Sequence, residues 1–335
     1  MNGSLPLLEV QDLTRSFPVH LGFGRTGHLS AVDGVSLEVA PGTTMGIVGE
    51  SGCGKSTLAR LILGLIQADS GEIKMEQQTV DWSKRGARKQ LRRNMQMVFQ
   101  NPYSSLNPRC SVGEIIGFPM RAHGAGRTEI ATRTASLLEQ VGLHANHASY
   151  YPHQLSGGQR QRVNIARALA LNPKLVICDE AVAALDKSVQ AQVLNLLQDL
   201  QKTHGLTYLF ISHDLNVVEY ISDRVSVMYL GQIVETAGAD QLYRRPLHPY
   251  TQALLAASPR LDPDMRVDDD LLEGELPSPL NPPTGCRFRT RCPHAMQVCA
   301  EVRPPMRELD VGHKVACHLY ADGSYATPDN PIEER

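Results

Sequence analysis

The residues with the most chemistry in them stand together at Gly49-Glu50-Ser51-Gly52-Cys53-Gly54-Lys55-Ser56-Thr57, an uninterrupted G-x-x-x-x-G-K-S. Glycines at this spacing let successive backbone N–H groups turn inward on a phosphate, and a helix starting at the loop's end adds partial positive charge. Lys55 is expected to reach the β- and γ-phosphates of a nucleoside triphosphate, and the Ser56 hydroxyl to join the shell of Mg²⁺. The same helix N-terminus is expected to favour a thiolate at Cys53, the alternative being an inert filler at a variable position. Asp179 and Glu180 close an apolar run, Leu175-Val176-Ile177-Cys178. There the first carboxylate can enter the metal shell and the second can polarise an attacking water. His213 ends a later apolar run, where it can contact a γ-phosphate, although a lone histidine is more often a capping or packing residue.

Two other groups stand apart from that set. Leu155-Ser156-Gly157-Gly158-Gln159 is a second anion-reading helix start, with the S-x-x-Q spacing of a capping box. The chain already has a loop for its own nucleotide, so a second one makes sense if it serves another molecule's ATP. Cys286, Cys292, Cys299 and Cys317 are separated by 5, 6 and 17 residues in a proline-rich tail. Their spacing lacks the close pair of a zinc ribbon, and four thiolates suit an iron–sulfur cluster as well as zinc; reduced, unligated thiols are the third reading. Arg287, Arg289 and Arg291 are expected to offset the negative charge of such a centre.

These residues need strands that end at the site and helices that begin there. Met45, Ile47 and Val48 read as a buried strand before the glycine loop, and Leu58, Leu61, Ile62 and Leu65 as the apolar face of a helix after it. Buried strands are predicted at Met95–Phe99, Leu175–Asp179 and Leu206–Ile211, with strands also at 7–19 and 31–39 and a hairpin around Gly231. Residues 111–172 are mostly helical in pattern, and a helix carrying Val189, Val193, Leu196, Leu197 and Leu200 stops near Gly205. Lys84, Arg85, Arg88, Lys89, Arg92 and Arg93 form a basic stripe that reads as a solvated helix face. Strands alternating with helices imply an α/β fold with a largely parallel sheet and nucleotide at the strand carboxyl ends. From about residue 260 the chain turns irregular and proline-rich, and its last dozen residues read as disordered.

The 335 residues allow one large domain and something smaller. With 33 Lys and Arg against 35 Asp and Glu, the charge balance gives no hint of a nucleic-acid partner. No apolar run approaches a membrane span, and Glu9, Gln11 and Asp12 break any signal-peptide pattern, so the chain is expected in the cytosol.

Taken jointly, these stations resemble the ATP-binding-cassette (ABC) ATPases over residues 7–250. Gly49 to Thr57 stands at the Walker A position, Gln100 at the Q-loop, and Leu155 to Gln159 at the signature motif. Leu175 to Asp179 is similar to the Walker B strand, with Glu180 as catalytic glutamate, Ala184 to Asp186 as D-loop and His213 as switch histidine. Phe17 stands where the family puts an aromatic under adenine. The resemblance implies a P-loop domain at residues 1–258, with a RecA-like core, an antiparallel β subdomain and a helical subdomain at about 101–165. A small irregular cysteine-containing extension follows at 259–335.

It also implies catalytic roles for Glu180, His213 and Gln100, and Mg²⁺ held through Ser56, Gln100 and Asp179. ATP would lie between one chain's Walker loop and another's signature helix.

The run from Phe99 through Gln100, Asn101 and Pro102 to Arg109, the run from Ser156 to Arg162, and Leu247-His248-Pro249-Tyr250 narrow the likeness. They resemble the oligopeptide/dipeptide importer ATPases, and within them the second ATPase subunit of a dipeptide permease. Nickel and glutathione importers share this cassette type. The resemblance implies a second, non-identical ATPase, two transmembrane permease subunits and an extracytoplasmic peptide-binding protein as partners. It places the chain peripherally on the cytoplasmic face of the bacterial inner membrane, and it associates the four tail cysteines with a [4Fe–4S] cluster. Ala181 and Ala183 depart from the family, which has proline and a hydroxyl residue there; the first loosens the backbone after Glu180. A soluble repair ATPase would need a long arm between Gln100 and Ser156, where only about 55 residues stand, and a translation factor would carry two cassettes. A non-hydrolysing scaffold is disfavoured by the retention of Lys55, Asp179, Glu180 and His213.

Overall fold

A computed structural model of the chain describes residues 5–20, 26–101, 105–257 and 277–321. Pro102 to Ser104, the expected domain boundary near 258 and the last residues lie outside them. The strands run β1 (Leu8–His20), β2 (Thr26–Val39), β3 (Thr44–Val48), β4 (Ser70–Met75), β5 (Gln78–Thr79) and β6 (Met95–Val98), then β7 (Leu175–Asp179), β8 (Thr207–Ile211), β9 (Arg224–Tyr229), β10 (Gln232–Gly238), β11 (Arg307–Asp310) and β12 (His313–Val315). They form two sheets. One is four-stranded and antiparallel, in the order β2-β1-β4-β5, and the other eight-stranded, in the order β11-β12-β10-β9-β3-β8-β7-β6.

Within the large sheet β9, β3, β8, β7 and β6 are mutually parallel, so their carboxyl ends share one edge. Alternation across these strands divides the core. Leu175, Ile177, Leu209 and Ile211 face the glycine-loop helix (Lys55–Ile62) and the antiparallel sheet. Val176, Cys178, Tyr208 and Phe210 face the helices Gly157–Leu169, Lys187–His204 and Leu215–Ile221. Both faces are covered, which is why β3, β7 and β8 are largely apolar rather than alternating. Helices Val112–Ala122 and Arg127–Gln140 pack on the signature helix as a separate helical layer. No described helix is long and apolar enough to cross a membrane.

The tail departs from the strand-poor segment expected of it. Strand β12 pairs antiparallel with β10 through Glu235 with Val315 and Thr236 with Lys314, and β11 closes on β12. Without this hairpin β10 would be a bare sheet edge, so its free backbone groups recruit the tail. Phe288 is buried in the main core against Tyr229 and Tyr250, at ring-centroid distances of 5.4 Å each.

Candidate active site

The glycine loop leaves β3 and enters the helix Lys55–Ile62 through Gly54, with φ of 110° and no side-chain cap. The first N–H groups of that helix are therefore left for a ligand. At Gly49 and Gly54 a β-carbon would lie 2.1 Å from the carbonyl oxygens of Met228 and Ala31, so the loop is pressed against its supporting chain where only glycine fits. Lys55 is buried and its Nζ donates to the carbonyls of Gly49 at 2.6 Å and Glu50 at 3.0 Å, curled within the loop that a phosphate would share. Ser51 and Gly52 are exposed, and Thr57 is half-buried on the first turn of the helix.

The Ser56 hydroxyl donates to Asp179 Oδ1 at 2.9 Å, bringing a residue of the loop and the end of β7 together. A hydroxyl and a carboxylate are hard oxygen donors that fit Mg²⁺. Burial raises the Asp179 pKa and the neighbouring Glu180 adds to this, while Ser56, Arg60 and Lys55 oppose it. Gln100, expected in the same metal shell, instead donates to Glu180 Oε2 at 2.5 Å. His213 Nδ1 lies 3.3 Å from Glu180 Oε1. Glu180 thus sets its carboxylate between the ends of β6 and β8. Its backbone has φ of 47°, a left-handed conformation costly for a residue with a β-carbon, and its N–H is anchored on the Ile211 carbonyl at 2.9 Å. Ala181 beside it is buried and Ala183 exposed.

Ser156 caps the helix Gly157–Leu169 in a reciprocal pair with Gln159, as its spacing requires. A β-carbon on Gly158 would sit 2.5 Å from Val189, so that glycine allows the signature helix to approach the helix Lys187–His204. Ser156 is exposed and Leu155 buried. Asp186 caps the helix Lys187–His204 by accepting from Val189 N–H at 2.9 Å. Lys187 pairs with Asp214 beside His213 at 2.9 Å, tying the start of the helix Lys187–His204 to the end of β8. Phe17 lies on β1 opposite Leu29, half-exposed, with the Arg15 guanidinium 4.8 Å from its ring centre.

Two expectations need correction. Cys53 is buried rather than poised as a thiolate: desolvation pushes its pKa up, and the nearby Lys55 ammonium only partly offsets that. The arginines of the tail are not arrayed around its cysteines. Arg287 bonds Asp33 and the Leu230 carbonyl, Arg291 bonds Glu50, and Arg289 donates to the Thr284 carbonyl. The four tail thiols come within electrostatic reach of one another, and each raises the cost of ionising Cys317, whose pKa is pushed up to about 12, chiefly by burial. Yet among the described residues no group of three or more His, Cys, Asp or Glu stands close enough to hold a metal ion. Sequence reading also missed Tyr250, whose hydroxyl accepts from the Glu50 N–H at 3.0 Å. Only the fold could reveal it, because 200 residues separate the pair.

Comparison with known proteins agrees with this geometry. Residues 32–183 match the ABC transporter family, and residues 234–299 match the C-terminal region of oligopeptide/dipeptide transporters. The chain is 51% identical to a putative oligopeptide transport ATP-binding protein, YkfD, of Bacillus subtilis, over 94% of this chain and 96% of that one. It is 50% identical to the oligopeptide transport ATP-binding protein OppF of Escherichia coli, over 94% and 96% of the two chains. Among solved structures, the ATP-binding cassette MJ0796, a dimer in a post-hydrolysis state bound to ADP and phosphate, superposes with a TM-score of 0.62 at 28% identity. That match covers 69% of this chain and 98% of the other.

Proposed function

The chain belongs to the ABC transporter ATPases, and from that premise we propose that it is the ATP-hydrolysing subunit of a bacterial importer of oligopeptides or dipeptides. One observation carries the reading: a tail of the oligopeptide/dipeptide transporter type is fused to a cassette in which Ser56 meets Asp179 and Glu180 lies between Gln100 and His213. Lys55 exchanges the loop carbonyls for the β- and γ-phosphates. Ser56 and Asp179 would hold Mg²⁺, which would supply positive charge to offset the phosphates. Glu180 orients the attacking water and accepts its proton, His213 reports the γ-phosphate, and Gln100 links that state to the helical layer beyond it.

Leu155 to Gln159 serve the ATP of a second, non-identical ATPase, and this chain's own ATP is completed in return. Two permease subunits carry the peptide through the membrane after an extracytoplasmic binding protein delivers it, with this chain on the cytoplasmic face. The test is reconstitution with those partners in proteoliposomes. ATP-dependent uptake of labelled peptide supports the reading; uptake of nickel or glutathione in place of peptide would overturn the substrate class.

Cys286, Cys292, Cys299 and Cys317 belong to the same reading as ligands of a thiolate-bound centre, a [4Fe–4S] cluster in preference to zinc. Burial is the first cause of the raised pKa of Cys286, Cys292 and Cys317, and these thiols disfavour one another's charge. Backbone N–H groups of Phe288, His294 and Leu319 favour the thiolates. A shared cation would relieve that repulsion, and holding it requires the thiols to draw together, because among the described residues they form no ready metal site. Its role is structural, since ATP-driven import needs no electron. Protein purified without oxygen is expected to be brown with about four irons per chain. Colourless, iron-free protein with all four thiols titratable would end the assignment.

A further inference from the structure

We propose that Arg291, in the C-terminal extension, is a positioning residue for the phosphate loop that neutralises and orients Glu50. The inference rests on reading Gly49 to Thr57 as the ATP loop. Glu50 is the only acidic residue of that loop, and a carboxylate beside a triphosphate site repels the ligand unless its charge is matched. Arg291 matches it through a fork. Its Nη1 lies 3.1 and 3.0 Å from the two Glu50 carboxylate oxygens, and its Nη2 lies 3.1 Å from Oε1. The Arg291 side chain is 5% exposed and that of Glu50 23%, so solvent screens the pair far less than a surface ion pair.

The remaining polar groups of Glu50 are also committed. Its N–H donates to the Tyr250 hydroxyl at 3.0 Å and its carbonyl accepts from Lys55 Nζ at 3.0 Å. The direction of the carbonyl that holds Lys55 is therefore set by groups on Arg291 and Tyr250. Both stand on stiff ground: Tyr250 and Tyr229 pack at 4.5 Å, and the Arg291 guanidinium lies 6.0 Å from the Phe288 ring centre. A second strut runs parallel. Arg287 bonds Asp33, whose N–H donates to the Gly231 carbonyl at 2.8 Å, and the Gly231 N–H donates to the Cys53 carbonyl at 2.8 Å. The extension thus reaches the loop at Glu50 directly and at Cys53 through Gly231, and ATP affinity should respond to it.

The experiment uses the assembled transporter, with binding of a fluorescent ATP analogue and steady-state ATPase measured together. Arg291→Ala is expected to raise the nucleotide Kd and the KM for ATP about tenfold, with kcat within about twofold, as expected for an uncompensated charge near the phosphates. Adding Glu50→Gln to Arg291→Ala removes that charge and should return KM most of the way to the parent value, which a role confined to packing would not do. Should Arg291→Ala fail to fold, Arg291→Lys keeps the charge and loses the fork, and is expected to raise KM about threefold. An unchanged KM in whichever single variant folds, or a double variant as weak as Arg291→Ala, would overturn the inference. Failure of the parent complex to bind the analogue would instead sink the ATP reading.

Discussion

Glu180 is tightly constrained. It holds a left-handed backbone, φ 47°, while one oxygen accepts from Gln100 and the other lies 3.3 Å from His213 Nδ1. Such strain persists only where surrounding contacts over-determine it. Glu180→Gln keeps the shape and removes the base, so it is expected to bind ATP yet hydrolyse it at least ~10²-fold more slowly. Near-parental turnover in the assembled complex would disprove the assignment. Cys53 shows what residue types alone conceal. Its place in the glycine loop is plain from the sequence, but its burial comes from Gly49, Lys55 and the β9 end pressed around it, contacts made only on folding. With burial raising its pKa, Cys53 in native protein is expected to react with a thiol reagent at pH 8 at least ~10-fold more slowly than a free thiol. Labelling followed by peptide mass spectrometry reads this, and labelling at the free-thiol rate would contradict it.

At the scale of elements, β3, β7 and β8 were readable because each is a short, largely apolar run that delivers the chain into a site residue, Gly49, Asp179 or His213, a pattern with few other uses in a parallel sheet. The signature helix was readable from its capping box, Ser156 with Gln159. The hairpin of β11 and β12 was not: Arg307 to Val315 are mostly polar, and their strand character comes from the β10 edge they complete. The short helix Pro249–Ala256 is held at its start by His248, whose Nδ1 accepts from the Tyr250 N–H at 3.0 Å. Burial pushes the His248 pKa down to about 4, against an opposing pull from Glu235. A histidine with a folded pKa below its unfolded value of 6.5 stabilises the fold fully above about pH 6.5. That contribution, about 3 kcal/mol, is lost as pH falls from 6.5 towards 4. His248→Asn keeps a capping acceptor and cannot titrate. Urea midpoints measured from pH 7.5 to 4.5 are therefore expected to fall more steeply for the parent than for this variant, and parallel slopes would remove His248 from the account.

For the whole molecule, the sequence made the cassette and its importer-type tail legible, because phosphate chemistry restricts residue types at fixed spacings. It left their attachment hidden, since Arg291 with Glu50 and Arg287 with Asp33 are pairs 241 and 254 residues apart. The same limit applies to assembly. Ser156 is exposed at the start of its helix, while the residues proposed for hydrolysis stand at the ends of β3, β6, β7 and β8. A glycine-rich helix start with its N–H groups turned outward gains a ligand only when another molecule brings one. The cassette of MJ0796, to which this chain is similar, is a dimer in its ADP- and phosphate-bound structure. On the proposed function an isolated copy of this chain would hold each half of a composite site without its complement, and it is expected to bind ATP weakly and turn it over at least ~10-fold more slowly than the complex. Turnover should be measured for the chain alone over a range of concentrations, then with the second ATPase, then with the permease subunits added. Rates that climb with each addition fit a site shared between subunits. A dilute lone chain running at the full rate of the complex would show that one chain suffices, and the assignment of Ser156, Gly157 and Gly158 to a partner's ATP would fall with it.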